Sequence, residues 1–271
     1  MTIALRWRWP TPSGLPSLPI VASALTLLVV LWLTAPVVDI DFVHLFGSIG
    51  KMFRFAGQMF IAPDLSYVPT LLSKMLETLE MTFLATAIAL VISLPLGVLA
   101  AQNATPHPLV YRLTRDLLSL MRALPELVWA LVFVSAVGLG PLPGVMALAF
   151  VTVGFMSKFF AEAIEVVDPK AVEGVRAHGA GWLQVRVFAM LPQALPDFVG
   201  TVMYILDHNL RAAAILGLVG AGGIGYELVM SMRMFQYNHL LLIALSIFIV
   251  VTILDRTSDR LRSRIIHGKS V

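Results

Sequence analysis

Six stretches of this chain are apolar for roughly the length that an α-helix needs to cross a bilayer, about 20 residues for a hydrocarbon core about 30 Å thick. They run over 19–37, 78–101, 116–139, 143–162, 195–217 and 238–255, and the first, PIVASALTLLVVLWLTAPV, holds no charge at all. Composition agrees: 58% of the residues are hydrophobic and 13% are charged, against about 25% charged in a soluble domain. There is too little polar surface to cover a water-facing globule, so the excess apolar surface faces lipid. Lipid offers backbone groups no hydrogen-bond partner, and runs of this length satisfy their own as helices. The expected fold is therefore an all-α, polytopic membrane protein with six transmembrane helices. The 271 residues include no cysteine, which removes disulfides and thiolate metal sites.

Basic residues orient the spans. With the amino end inside, thirteen Lys and Arg fall in inner segments and four (Lys51, Arg54, Lys74, Arg233) in outer ones, while Arg122 and Arg211 lie within spans. Cytoplasmic loops concentrate Lys and Arg, so both termini are expected in the cytoplasm. Arg6 and Arg8 ahead of the first apolar run mimic a secretion signal. That run exceeds the usual signal core of about 7–15 residues and no small-x-small cleavage site follows, so a retained helix is expected. The organisation reads as a cytoplasmic segment 1–18, a transmembrane domain 19–255 and a basic cytoplasmic tail 256–271. Between the first two spans, 38–74 carries Asp39, Asp41, Asp64, Pro63 and Pro69 and reads as an interfacial segment. The 138–144 connection, GLGPLPG, is a tight Gly/Pro turn. Pro95 and Pro125 mark points where two spans can kink.

Two nucleotide motifs fail in context. Gly220-Ala-Gly222-Gly223-Ile-Gly225 fits G-x-G-x-x-G, a pattern with meaning only between a strand and a helix, and here it follows a membrane helix. Gly268-Lys269-Ser270 looks like the end of a phosphate-binding loop, but Ser263 stands where its first glycine belongs. If ATP drives this chain, another subunit binds it. The six histidines (44, 107, 178, 208, 239, 267) are scattered without an H-E-x-x-H pair, so neither a metal site nor a membrane enzyme is indicated, and nothing points to nucleic acid.

The inner connection 163–194 is the most informative. Asp168-Pro169 can open a helix, with Asp168 as cap and Pro169 in the first turn where its missing N–H costs nothing. Lys170 to His178 then form about two turns, ended by Gly179 and Gly181. A second amphipathic stretch, Trp182 to Met190, leads through Leu191-Pro192 back into the membrane. Residue types alone allow two readings: a short helix docking into a groove on a soluble partner, or a loop lying on lipid headgroups through Trp182 and Arg186.

A resemblance bears on that choice. Glu173-Gly174-Val175, three residues, Gly179, nine residues and Ala189-x-Leu191-Pro192 resemble the cytoplasmic signature of permease subunits of binding-protein-dependent ABC importers, E-A-A, three residues, G, nine residues, I-x-L-P. Gly174, Val175 and Ala189 depart from that consensus. Arg122-Ala-Leu-Pro-Glu126, Val137-Gly-Leu-Gly-Pro141, Arg211-Ala-Ala-Ala, the glycine run 217–225 and Asp255-Arg-x-Ser258-Asp-Arg-Leu-Arg262 are similar to phosphonate-import permeases. The likeness covers roughly residues 75–264, and its glycine run is also similar to methionine-import permeases. It implies a permease for a phosphonate, with phosphite and phosphate as close relatives, without enzymatic chemistry or a cofactor of its own. Its implied partners are two ATPase subunits that bind ATP and Mg, an extracytoplasmic solute-binding protein and a second permease copy in a homodimer. By the same resemblance, Glu173, Gly174, Val175, Gly179, Leu191 and Pro192 couple to the ATPase. A methionine or other small-solute permease keeps that mechanism, whereas an ion-coupled transporter or channel would use buried charges alone.

Those charges form two groups. Arg122 and Glu126 are four apart in the third span, as are Asp207 and Arg211 in the fifth, with His208 and Asn209 between. Four-residue spacing puts each pair on one helix face, so each arginine can neutralise its own acid and lock helix orientation. Alternatively Arg122, Glu126, Asp207, Asn209 and Arg211 line the path of a charged solute, since ionisable groups at membrane depth are costly and functional by default. Gly217, Gly220, Gly222, Gly223 and Gly225 are expected to form a close-packed or re-entrant outer turn whose bare backbone allows close approach.

Overall fold

The computed structural model describes residues 18–34, 42–59 and 64–266, and among them every element is helical. The segment before Leu18, the acids Asp39 and Asp41, Pro63 and the Gly268-Lys269-Ser270 motif lie outside the described residues. Two compact units divide between Gly57 and Gln58.

The first unit contains helix α1 (Leu18–Thr34) and most of α2 (Phe42–Met59). Helix α1 exposes large apolar side chains all round, from Ile20 to Leu33, the surface of a helix made for lipid. Helix α2 is amphipathic, with Lys51 and Arg54 among exposed aromatics, and it occupies the stretch read as interfacial.

The second unit is a bundle of α3 (Val68–Ala100), α4 (Pro108–Met121), α5 (Glu126–Val137), α6 (Pro141–Glu165), the short α7 (Pro169–Ala177), α8 (Trp182–Val185), α9 (Leu191–Leu216), α10 (Gly223–Arg233) and α11 (Tyr237–Ile266). Helix α6 is its axis and packs against α3, α4, α5 and α9. Small residues let these backbones close up, as van der Waals packing in lipid requires. A Cβ on Gly97 of α3 would lie 2.7 Å from the Phe160 Cβ of α6. Phe160 in turn stacks on Phe198 at 4.1 Å. Hydroxyls are satisfied along the helix: Thr78, Thr82 and Thr86 donate to the carbonyls of Lys74, Thr78 and Thr82 at 2.9, 2.8 and 2.7 Å.

Three expectations are not met as stated among the described residues. Four helical segments (Leu65–Ala100, Pro141–Glu165, Trp182–Val219, Tyr237–Arg260) are long and apolar enough to cross a bilayer. Helix α1 has 17 described residues. Among the described residues there are thus four such helices, or five with the bent α4–α5 pair counted as one span, and the expected count of six is not confirmed. The span expected over 116–139 is broken: α4 and α5 meet at 83°. Pro125 adopts extended backbone (φ −57°, ψ 150°) as the cap of α5, and a proline disfavours helix at the residue before it, so α4 stops. Third, α3 begins at Val68, ten residues ahead of the expected 78, because Leu71 and Met75 bury a face with Ile224 of α10 and Ile243 of α11. Pro95 does not interrupt α3.

Candidate functional site

Helix α7 is built as its residues dictate. The Asp168 carboxylate accepts from the Lys170 N–H at 2.9 Å, Pro169 fills the first turn, and Gly179 at φ +80° ends the helix. Val172 is buried and Val175 packs against the core, while Glu173 and Gly174 face outward. Leu191 is half-buried, and Pro192 is exposed at the start of α9. Pro192 has no N–H to return to the carbonyl four residues back. Over Arg186–Met190 the helix widens to π spacing, with the Leu191 N–H donating to the Arg186 carbonyl.

That widening puts Arg186 inside, at 6% exposure, instead of on headgroups. Its guanidinium stacks on Trp182 at 4.5 Å and donates through Nε to the Ala104 carbonyl at 3.0 Å. Trp182 donates to the same carbonyl at 3.1 Å. Ala104 belongs to the α3–α4 connection, which is held at further points. Arg115 reaches the Ala100 carbonyl (3.0 Å) and the Glu165 carboxylate (2.9 Å), which also accepts from the Gln102 N–H (2.7 Å). Asn103 donates to the Ile164 carbonyl at 2.9 Å. Gln193 accepts from the Asp168 N–H at 3.1 Å, joining the start of α7 to α9. These bonds tie the α3–α4 connection to α4, to α6 and to the segment following α7, and the cap of α7 to α9. Sequence reading missed Arg115, Glu165, Asn103 and Gln193, because their partners lie 50 or more residues away or are backbone groups that carry no residue signature.

The membrane charges separate differently from the expectation. Because α4 ends at Met121, Arg122 and Glu126 share no helix face and form no ion pair. Arg122 instead lies over the Phe155 ring at 5.0 Å. Glu126 stands in the first turn of α5, where a carboxylate is favoured by the helix dipole. Asp207 and Arg211 do pair along α9; Asp207 is buried and the Arg211 side chain is 51% exposed. Asn209, at 1% exposure, accepts from Thr152 of α6 and donates to Thr86 of α3, each at 3.0 Å. It pins three helices together. Glu126 and Asn209 meet at a cavity of about 160 Å³ with Thr152, Tyr204, His208 and Phe155 in its wall. Interhelical hydrogen bonds in membranes average about 0.6 kcal/mol, so Asn209→Leu is expected to lower stability by about 1 kcal/mol. A thermal midpoint unchanged from wild type in detergent would show that this node holds nothing.

At the opposite end the glycines fold onto their own chain. Gly217 and Gly225 bring α9 and α10 into backbone contact, and Gly220, Gly222 and Gly223 turn through positive φ of +84°, +78° and +68°. The Gly140 N–H donates to the Gly220 carbonyl at 3.0 Å. The first N–H groups of α10 are capped from α3: Gly223 by the Glu77 carboxylate (3.0 Å), Ile224 by the Thr78 hydroxyl (2.8 Å). The run therefore joins two helices, and its turn is closed from within.

A helical bundle with lipid-facing apolar surface, a short amphipathic helix at one end and charged and amide groups at membrane depth defines a membrane permease. Family comparison makes this specific: residues 93–267 match the model for the binding-protein-dependent transport system inner membrane component, and the chain belongs to that family. It is 44% identical over 223 residues to the phosphite transport system permease protein PtxC of Stutzerimonas stutzeri, covering 82% of this chain and 81% of that protein. It is 40% identical over 225 residues to the phosphate-import permease protein PhnE of Mycolicibacterium smegmatis, covering 83% of this chain and 42% of that one. The methionine ABC transporter MetNI, in inward-facing conformations, has the same fold, with a TM-score of 0.66 at 24% identity over 74% of this chain and 99% of that chain. The chain is thus a multi-pass inner-membrane permease subunit of an ABC importer of the phosphonate-permease group. It is not catalytic, and it works with an ATPase and a solute-binding protein. The ion-coupled transporter and channel readings fall with this result.

Proposed function

We propose that this permease moves a small phosphorus oxyanion, a phosphonate or its close analogues phosphite and phosphate, through a path shared by two copies of the chain. The cargo reading is supported by the relatives named for phosphite and phosphate transport, at 44% and 40% identity. The observation that carries the path is the outward face of α9. Tyr204, His208 and Arg211 follow one another at helical spacing and are all exposed, beside Phe155 and Phe159 of α6. A half-exposed arginine facing lipid costs several kcal/mol. Covering the face with its twofold mate turns that cost into a polar lumen, in which Arg211, Asn209 and Glu126 mark the route, while Arg122 borders a different crevice.

Helix α7 is the coupling helix. Its exposed Glu173 and Gly174 dock on the ATPase, with Val175, Gly179, Leu191 and Pro192 holding the loop in shape. By the distribution of Lys and Arg, both termini and α7 are cytoplasmic. ATP and Mg are held by two partner ATPase subunits, and the binding protein delivers solute at the glycine-turn end. The test is ATPase activity of the permease co-purified with its ATPase and binding protein across a solute panel. Stimulation by phosphonate, phosphite or phosphate is expected. Stimulation confined to methionine or another solute lacking phosphorus would overturn the cargo.

A further inference from the structure

Beneath the α4–α5 break, on the side of the bundle that carries α7, α4 and α6 enclose a cavity of about 120 Å³ bordered by Ala100, Arg115, Leu118, Ser119, Arg122 and Lys158. Three of these six residues are cations. Arg115 is tied to Glu165 at 2.9 Å. Lys158 is held only loosely, 3.8 Å from Glu162, with both side chains about half exposed. Arg122 has no ion-pair partner among the described residues, and its Nε is buried without an acceptor.

Three cations against two carboxylates leave one positive charge and one buried donor uncompensated. A buried guanidinium N–H without a partner is costly. The arginine is nevertheless seated deliberately: Gly154 of α6 leaves room for its stem, since a Cβ there would lie 2.7 Å from the Arg122 Cγ and 3.1 Å from the Leu118 carbonyl. The group best matched to arginine forks beside an ammonium is a tetrahedral phosphorus oxyanion. Basic pockets between membrane helices recognise anionic headgroups in this way.

We propose that the α4–α6 crevice is a binding site for a phosphate-class oxyanion, with Arg122 and Lys158 as its principal ligands and Arg115 as a charge at its rim. The ligand comes either from an anionic phospholipid headgroup or from free phosphate. The site is separate from the cavity bounded by Asn209 and does not depend on the identity of the imported solute. Occupancy would hold α4 against α6 next to the α3–α4 connection that Arg186 and Trp182 tie to the segment following α7.

The test uses the full chain with its ATPase in nanodiscs. One arm uses phosphatidylcholine alone titrated with inorganic phosphate and followed by thermal stability; the other mixes in phosphatidylglycerol without phosphate and counts retained lipid by native mass spectrometry. Wild type is expected to bind at least one probe, and R122Q/K158Q to lose about tenfold or more in apparent affinity. Lys158→Gln alone, at a half-exposed position that leaves the fold intact, is expected to lose a measurable part, and Arg233→Gln, at the far end of α10, none. Phosphate-only binding names a soluble anion and phosphatidylglycerol-only binding a lipid headgroup, and either supports the site. Binding of neither probe, or binding unchanged in Lys158→Gln and the double variant, overturns it.

Discussion

Replacing Gly225 by alanine is expected to abolish a stable, monodisperse permease, the largest stability effect of any single methyl group in this bundle. The added Cβ would fall onto the Ala214 carbonyl oxygen of α9, 2.8 Å from its carbonyl carbon and 3.1 Å from the Gly217 Cα. These are backbone atoms of a packed helix and cannot rotate aside. Helix α10 would have to withdraw, pulling its first N–H groups from Glu77 and Thr78. Overpacking usually costs about 1–3 kcal/mol, and here the lost caps add about 1 kcal/mol each. The contrast is Gly174→Ala on α7, where nothing lies within 4 Å of the new methyl. Alanine in a helix interior gains roughly 0.5–1 kcal/mol over glycine, so that variant should melt no lower than wild type. Size-exclusion profiles and thermal midpoints in detergent decide both, and a well-folded Gly225→Ala protein would refute the close α9–α10 contact.

Reversing one charge on α7 should have the opposite character, with transport lost and stability kept. Glu173 is exposed, so Glu173→Lys should change folding by no more than about 0.5 kcal/mol. If the ATPase docks there, reversal replaces an interfacial attraction with repulsion and costs roughly 2–5 kcal/mol of docking free energy, a fall in uptake of about 30-fold or more. Solute uptake by cells, measured together with ATPase co-purification and ATP turnover in proteoliposomes, reads both consequences. Normal uptake with Lys at 173 would remove α7 from the coupling role.

Much of this architecture is legible from residue order because its causes are local. The limits of α7 follow from Asp168-Pro169 at one end and Gly179 at the other, and the cap and turn chemistry acts within a few residues. The apolar runs identify lipid-facing helices for the same reason: an unpaired backbone in lipid leaves helix as the local solution. Glu173, Gly179, Leu191 and Pro192 match the permease signature at its spacing within one short stretch, so the family was already recognisable.

Other features depended on what lies across the bundle. Four-residue spacing predicts a shared face for both charged pairs, and α9 obeys it with Asp207 and Arg211. At Arg122 and Glu126 the spacing fails because Pro125 can bend a helix or end it. The choice here goes with a seat for the Arg122 stem at Gly154 and a ring for its guanidinium at Phe155, both on α6. Arg186, suited by sequence to a headgroup surface, is buried because the π turn before Pro192 points it at the Ala104 carbonyl 82 residues away. Asn209 reads as one more polar group at membrane depth until Thr86 and Thr152 are seen on either side of it. Residue order alone determined that the long apolar runs are helical, where α7 begins and ends, and which family the chain resembles. Only tertiary packing decided which charges meet and which polar groups are buried, because those partners are chosen across helices, where sequence spacing carries no distance.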